Sequence, residues 1–374
     1  MEESILIQQK GRRFEFLDGL RGIAACLVVL YHFNDRLKVY AFPNIIDLIF
    51  NQGRFGVEIF FVLSGFVIAY SLRNQTISKS FVFKFILKRS IRLDPPYWVA
   101  ICLLIGITIM KNFFKTNPIP LHSIKEVFIN FLYLPDLVGI YRILPVSWTL
   151  SLEIQFYIFL ILLLKFIQFI KSNFFSDNQV FLNSFPSYIL LSFLMILSLL
   201  QNTSYSLIPS IPGLFISKWY SFFIGTLACW AMLNLIKPIF FWINFGFITI
   251  YTLGNSFAFE TCIVSLTIYA VANTNRMHTL LAAPIYQYLG KISYSLYLIH
   301  WVIGMQFIDL TLHFLGKNAD SGIFPIFIMG LALCLTLITS DIFYRVIELP
   351  SLRLSHNVKN RSESKDPVSL TCSV

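Results

Sequence analysis

Arg21 and His32 belong to one apolar run, Leu17-Asp-Gly-Leu-Arg21-Gly-Ile-Ala-Ala-Cys-Leu-Val-Val-Leu-Tyr-His32. Eleven helical steps of about 100° amount to three turns plus roughly 20°, so an α-helix presents both side chains on one face, about 16 Å apart along its axis. A fixed cation and a proton acceptor then line one path. Placing Arg in hydrocarbon costs roughly 2.5–3.5 kcal/mol on insertion scales, so such groups face a bundle interior or a water-filled cavity. Asp18 precedes Arg21 by three residues and Asp35 follows His32 by three, which puts a carboxylate within reach of each basic group. A carboxylate partner would fix the imidazole tautomer and raise its basicity, as a general base acting on a hydroxyl requires. A structural salt bridge with an interface histidine is the competing account.

Four further polar clusters interrupt apolar stretches. Gly56-Val-Glu58-Ile-Phe-Phe-Val-Leu-Ser64-Gly65-Phe66 carries a carboxylate into a second stretch, while Ser64-Gly65 suits close helix packing. In Lys88-Arg89-Ser-Ile-Arg92-Leu-Asp-Pro95-Pro96-Tyr97-Trp98, two guanidiniums three apart could clamp a phosphate or pyrophosphate through bidentate bonds. The prolines are expected to end a basic helix and start the next span. A topogenic basic flank with interfacial Tyr97 and Trp98 explains the same residues. Pro145-Val-Ser147-Trp148-Thr-Leu-Ser151-Leu-Glu153-Ile-Gln155-Phe-Tyr157 gives a polar stripe with Trp148 and Tyr157 as aromatic platforms for a sugar, or else a set of interhelical hydrogen bonds. In Gly290-Lys-Ile-Ser293-Tyr-Ser-Leu-Tyr297-Leu-Ile-His300-Trp301, Ser293, Tyr297 and His300 share a face, and His300 either binds substrate or satisfies a neighbour.

The elements that must position these groups are hydrophobic. Apolar residues make up 56% of the 374, charged residues only 13% and Phe 39 positions, against about 25% charged in an average soluble domain. The fold class expected is all-α, a polytopic integral membrane bundle of about ten transmembrane helices near 16–33, 55–71, 96–114, 147–170, 186–200, 218–235, 239–253, 256–272, 292–312 and 324–346. Leu121–Leu134 reads as interfacial or re-entrant.

Lys and Arg concentrate in alternate loops, among them Lys10, Arg73, Lys84, Lys171, Lys237, Arg276 and Arg353, which predicts both termini cytosolic. That bias and contact with anionic membrane lipid account for most of the net charge of +10 and leave no basic domain suited to nucleic acid. Residues 1–15 read as a cytosolic segment, 16–353 as the transmembrane domain and 354–374 as a disordered cytosolic tail. No cleavable signal peptide is expected, because Asp18 and Arg21 interrupt the first apolar run. Cys26, Cys102, Cys229, Cys262 and Cys334 sit in apolar stretches without metal or redox spacing and read as buried structural thiols; no metal site is expected.

In order and wording these clusters resemble the acyltransferase-3 family of integral membrane O-acyltransferases, which modify bacterial surface glycans and some small molecules. The resemblance runs from Phe16 to about Arg353 and includes Phe343-Tyr-Arg345-Val-Ile-Glu348-Leu-Pro350. Arg21 and His32 match the family's arginine, ten residues, histidine signature, followed in order by FFVLSGF, RSIRLDPPY, SWTLSLEIQFY and ISYSLYLIH. Two departures stand out. Where the family commonly has two adjacent acids, Glu153 is followed by Ile154, and Glu58 replaces the more usual Asp.

The resemblance implies transfer of an acyl group, usually acetyl, from cytosolic acyl-CoA as co-substrate to a hydroxyl of a carbohydrate or lipid-linked glycan such as lipopolysaccharide O-antigen or exopolysaccharide, at the bacterial inner membrane. Under that reading His32 is the base, Asp35 or another acid orients it, Arg21 lines the thioester path, and Glu153 positions the acceptor or shares the proton. Arg89 and Arg92 hold the coenzyme phosphates, and Glu58, Tyr97, Trp148, Tyr297 and His300 complete the binding surface. A covalent acyl-histidine route suits the same residues. A glycan or lipid transporter or flippase would use buried charges without consuming acyl-CoA, and an acyltransferase for small molecules would differ only in acceptor.

Overall fold

In the computed structural model, which describes residues 14–37, 53, 55–73, 75, 77–114, 118–174, 185–202, 211–252, 256–316 and 324–358, every regular element is a helix. They are α1 (Glu15–Leu37), α2 (Phe55–Leu72), α3 (Lys79–Asn112), α4 (Ile124–Phe131), α5 (Pro135–Val138), α6 (Trp148–Phe174), α7 (Phe185–Leu200), α8 (Trp219–Met232), α9 (Pro238–Thr252), α10 (Ser256–Asn273), α11 (Pro284–Ile299), α12 (Gln306–Leu315), α13 (Phe324–Phe343) and α14 (Leu349–His356). A π-helical segment, His300–Met305, joins α11 to α12, and a second, Tyr344–Glu348, joins α13 to α14.

Six helical stretches among the described residues are long and apolar enough to cross a membrane: Glu15–Leu37, Phe55–Leu72, Lys79–Asn112, Pro145–Phe169, Pro284–Leu315 and Phe324–His356. The protein is thus an integral membrane helical bundle, and among the described residues six of the roughly ten expected spans meet that length and composition. The other four apolar stretches form α7 to α10, which run 14 to 18 residues against the roughly 20 that a hydrocarbon core requires. Of these, α8 is buried on all sides from Trp219 to Ala231, which its predominantly apolar sequence permits, its Ser221 and Thr226 hydroxyls being hydrogen-bonded. The predicted disordered tail begins inside α14, and residues 359–374, like residues 1–13, lie outside the described part.

Two close approaches fix the register. A Cβ on Gly22 would lie 2.5 Å from the Gly290 nitrogen, so only glycine lets α1 and α11 meet backbone to backbone. The two helices run parallel: Phe16 N–H donates to Met277 O (3.0 Å) at one end, and the His32 and His300 rings meet at the other. Between α2 and α8, a Cβ on Gly65 would fall 1.8 Å from Phe222 O.

The helix α3 corrects the expected break at the proline pair. It begins at an N-cap, Ser78, whose hydroxyl accepts from Phe81 N–H (3.1 Å), and runs 34 residues through Pro95 and Pro96. Each proline removes a backbone donor. Tyr97 and Trp98 then tie the rod to the next segment, their side chains donating to Asn130 O (2.8 Å) and Phe131 O (3.1 Å). Arg89 and Arg92 therefore stand on the same rod as the apolar span, not on a separate flank.

Leu121–Leu134 contains α4, a short helix that starts with a capping box between Ser123 and Glu126 and exposes Ile124 and Phe128, in keeping with an interfacial segment. The cysteines depart from expectation at two positions: Cys102 and Cys334 are exposed on the outside of the bundle, whereas Cys229 and Cys262 are buried, and all five described thiols are free.

Candidate active site

The polar clusters converge on one cavity of about 860 Å³, counting the space at its mouth. Arg21 comes from α1, Ser64 from α2, Arg89 and Arg92 from α3, Glu153 and Tyr157 from α6, and Ser293, Tyr294 and Tyr297 from α11. Phe60, Phe61, Leu63 and Leu150 supply apolar wall. Three guanidiniums facing one cavity attract an anion, and their planar forks suit phosphate oxygens.

Each charged group is held from behind. Arg21 Nη2 donates to Asp18 Oδ1 (2.5 Å), while the buried Arg21 Nε has no partner among the described residues. Arg89 lies over the Tyr157 ring, its guanidinium carbon 5.0 Å from the centroid. Glu153 accepts from Ser64 Oγ (2.6 Å) and from the Tyr157 hydroxyl, and its charge is felt by both Arg89 and Arg92. Tyr294 OH donates to Leu93 O (2.8 Å), locking α11 to α3 beside Arg92.

The expected stripe on α6 divides in two. Ser151 Oγ donates to Tyr133 O (2.7 Å), and the Gln155 amide donates to Gly213 O (2.8 Å) and accepts from Phe215 N–H (3.2 Å), so these residues bind helix to loop. Glu153 and Tyr157 face the cavity instead.

His32 lies beyond the residues that line this cavity. Its Nδ1 is 3.1 Å from His300 Nε2, the two ring centroids are 5.1 Å apart with their planes inclined by 22°, and Trp301 closes edge-on at 5.2 Å from His32. Tyr297 connects the two places: it lines the cavity, and its ring centroid is 5.8 Å from that of His300. The Tyr297 hydroxyl donates to Val146 O (2.9 Å) and contacts Thr149 Oγ1 (2.7 Å). The single tunnel expected from Arg21 to His32 is thus an arginine chamber and a histidine pair meeting at Tyr297.

Four predicted site residues stand elsewhere. Asp35 is exposed and influences His32 through its charge, while the imidazole's hydrogen-bonding neighbours are a second imidazole and the Val28 backbone. Glu58 is buried and fully engaged: Oε1 accepts from Lys218 Nζ (2.6 Å), and Oε2 from Ser221 (2.6 Å) and Thr261 (3.0 Å). Tyr97 is fully buried, stacked on Tyr133 at 4.4 Å. Trp148 packs edge-on against Phe61, centroids 6.1 Å apart, and does not line the cavity.

One group quoted in the sequence but given no role emerges here. Glu348, in the π-helical turn after α13, accepts from the Ser295 hydroxyl (2.5 Å) and backbone N–H (3.1 Å), and its charge reaches Arg92. The only local signal was an acid between apolar residues ahead of Pro350. Both π segments, rare in general and frequent at functional sites, occur where a titratable residue turns inward, His300 in one and Glu348 in the other. Among the described residues no three His, Cys, Asp or Glu side chains cluster as metal ligands.

Residues 14–345 match the model of the acyltransferase-3 family, described as an acyltransferase domain. Two relatives from Staphylococcus aureus, strains COL and MSSA476, each bear the name "Putative O-acetyltransferase" and are 25% identical to this chain over 378 residues. The alignment covers 91% of this chain and 58% of each relative, so the chain spans little more than half the length of the curated relatives it matches. No solved structure matches.

Proposed function

The chain belongs to the acyltransferase-3 family, and from that premise we propose that it is a membrane O-acetyltransferase that moves acetyl from acetyl-CoA to a hydroxyl of a surface glycan, lipopolysaccharide O-antigen or exopolysaccharide, at a bacterial inner membrane with both termini cytosolic. The observation that carries this reading is the convergence of Arg21, Arg89 and Arg92 on one cavity that meets a histidine pair, buried His300 with half-buried His32, at Tyr297. Coenzyme A is a polyanion with a long, flexible arm. In this reading its phosphates sit against Arg89 and Arg92, and the arm runs past Arg21 and Tyr297 toward His32.

The proposed reaction is direct transfer. The acceptor oxygen attacks the thioester carbonyl as His32 takes the hydroxyl proton; the carbon–sulfur bond breaks, the ester forms, and the imidazolium returns the proton to the departing thiolate. Asp35 stabilises the imidazolium through its charge. Glu153, already accepting from Ser64 and Tyr157, acts as the fixed counter-charge that orients Arg89 and Arg92.

The test is mass spectrometry of surface polysaccharide from cells with and without the gene, combined with release of free coenzyme A from acetyl-CoA by membranes containing the full chain. An added acetyl mass on the glycan that depends on the gene and on acetyl-CoA supports the reading. Glycan movement without thioester consumption, or unchanged glycan with no coenzyme A release, overturns it.

A further inference from the structure

The hydrogen-bond chain around the two histidines has one consistent set of proton positions. His300 Nδ1 lies 3.2 Å from Leu296 O. A carbonyl oxygen can only accept, so His300 Nδ1 carries the hydrogen. In a neutral imidazole the other nitrogen, Nε2, then bears the lone pair. That Nε2 is 3.1 Å from His32 Nδ1, which must donate to it, and His32 also meets the backbone carbonyl of Val28, one turn back, which can likewise only accept. His32, if neutral in turn, is left with its lone pair on Nε2.

We infer that His300 is a positioning residue: through the relay Leu296 C=O, His300, His32 it holds His32 as the Nδ1–H tautomer, so that Nε2 is the basic atom. His300 is fully buried, and its ring lies edge to edge with that of His32, the two planes 22° apart, as an in-plane N–H···N bond requires. The π segment begins at His300, and within it Gly304, where a Cβ would fall 2.3 Å from Phe33 Cζ, lets the widened turn close on α1 one residue beyond His32. The orienting role expected of an acid thus falls to a backbone carbonyl acting through a second imidazole. This inference rests on the proposed function only for the use to which the tautomer is put; the tautomer itself is a property of the resting protein.

Three substitutions separate positioning from packing. Gln places an amide oxygen where His300 Nε2 stands and can accept from His32 Nδ1–H; Asn reaches only as far as Nδ1, and Ala offers nothing. With acetyl-CoA as probe, His300→Ala and His300→Asn are expected to lower kcat about 100-fold or more with the KM for acetyl-CoA within about twofold of wild type, and His300→Gln to recover to within about tenfold, in line with the range for acid–base contributions. In parallel, nitrogen NMR of the full chain in nanodiscs with labelled histidine should show His32 protonated at Nδ1 and bare at Nε2, with the signals assigned from the His32→Ala and His300→Gln proteins.

A His32 resonance protonated at Nε2 in the otherwise unaltered protein overturns the inference. So does an equal loss of kcat in the Gln and Ala proteins with unchanged spectra of the remaining histidines. Because the spectrum needs no turnover, the inferred tautomer together with undiminished activity of His32→Ala would sink the proposed function and leave the relay standing.

Discussion

Two sets of buried charges occupy this bundle, and they are built differently. Around Glu58, on α2, every oxygen is answered: Lys218 on one side, Ser221 and Thr261 on the other, and none of these four residues lines the arginine cavity. Around Arg21, Arg89 and Arg92, the acids Asp18, Glu153 and Glu348 stand beside the guanidiniums, yet all three guanidiniums border one open space. The contrast shows how to tell a structural ion pair from a binding site inside an apolar protein. Both are ionisable groups in membrane-spanning helices and both look functional on cost alone. What distinguishes them is whether the charged groups border an open cavity.

The comparison can be broken most forcefully at Glu58. Glu58→Ala leaves Lys218 as a largely buried, uncompensated cation, at a cost of about 3–5 kcal/mol. The expected outcome is a large loss of folded protein by fluorescence-detected size exclusion, with the KM for acetyl-CoA unchanged in whatever fraction folds. Replacing both partners by Leu and Met should restore most of the yield, since the pair can be exchanged for packing. A binding role for Glu58 would instead show as a raised KM in normally folded protein.

The arginine chamber should behave in the opposite way. Arg89→Ala with Arg92→Ala is expected to insert normally and to raise the KM for acetyl-CoA about 10–100-fold, at roughly 1.5–3 kcal/mol for hydrogen bonds to charged groups, with a smaller change in kcat. An unchanged donor dependence would remove these residues from the site. Glu153→Gln keeps acceptors for Ser64 and Tyr157 but removes the counter-charge, and a loss of about tenfold in kcat/KM is expected; complete inactivation would mean that its negative charge takes part in proton transfer.

The smallest effect separates the cavity from its frame. Tyr97→Phe deletes the hydrogen bond to Asn130 O and should lower stability by about 1 kcal/mol while leaving both kinetic parameters alone. A change in KM would return Tyr97 to the binding surface.

Local pattern made the individual elements legible and long-range pairing did not. The spacing of Arg21 and His32 on one helix, the polar residues of α6 and the basic pair on α3 could all be read, because periodicity and charge cost are local properties. Which partner each would meet was hidden. His32 finds His300, 268 positions away, in preference to Asp35 at three, and Glu58 finds Lys218, a residue that periodicity places merely at the edge of a span. The proline pair misled for a related reason: Pro95 and Pro96 weaken a helix locally, yet the 34-residue rod persists while Tyr97, Trp98 and Tyr294 bind it to its surroundings. The polar stripe of α6 likewise divided between loop anchoring and cavity lining according to neighbours that helical periodicity cannot name.

The account stands most directly on His32. Full-length protein carrying His32→Ala, shown to insert and to bind acetyl-CoA as the unaltered chain does, should transfer acetyl at least about 100-fold more slowly, the lower end of what a positioned acid–base group contributes. Turnover at the wild-type rate would contradict it.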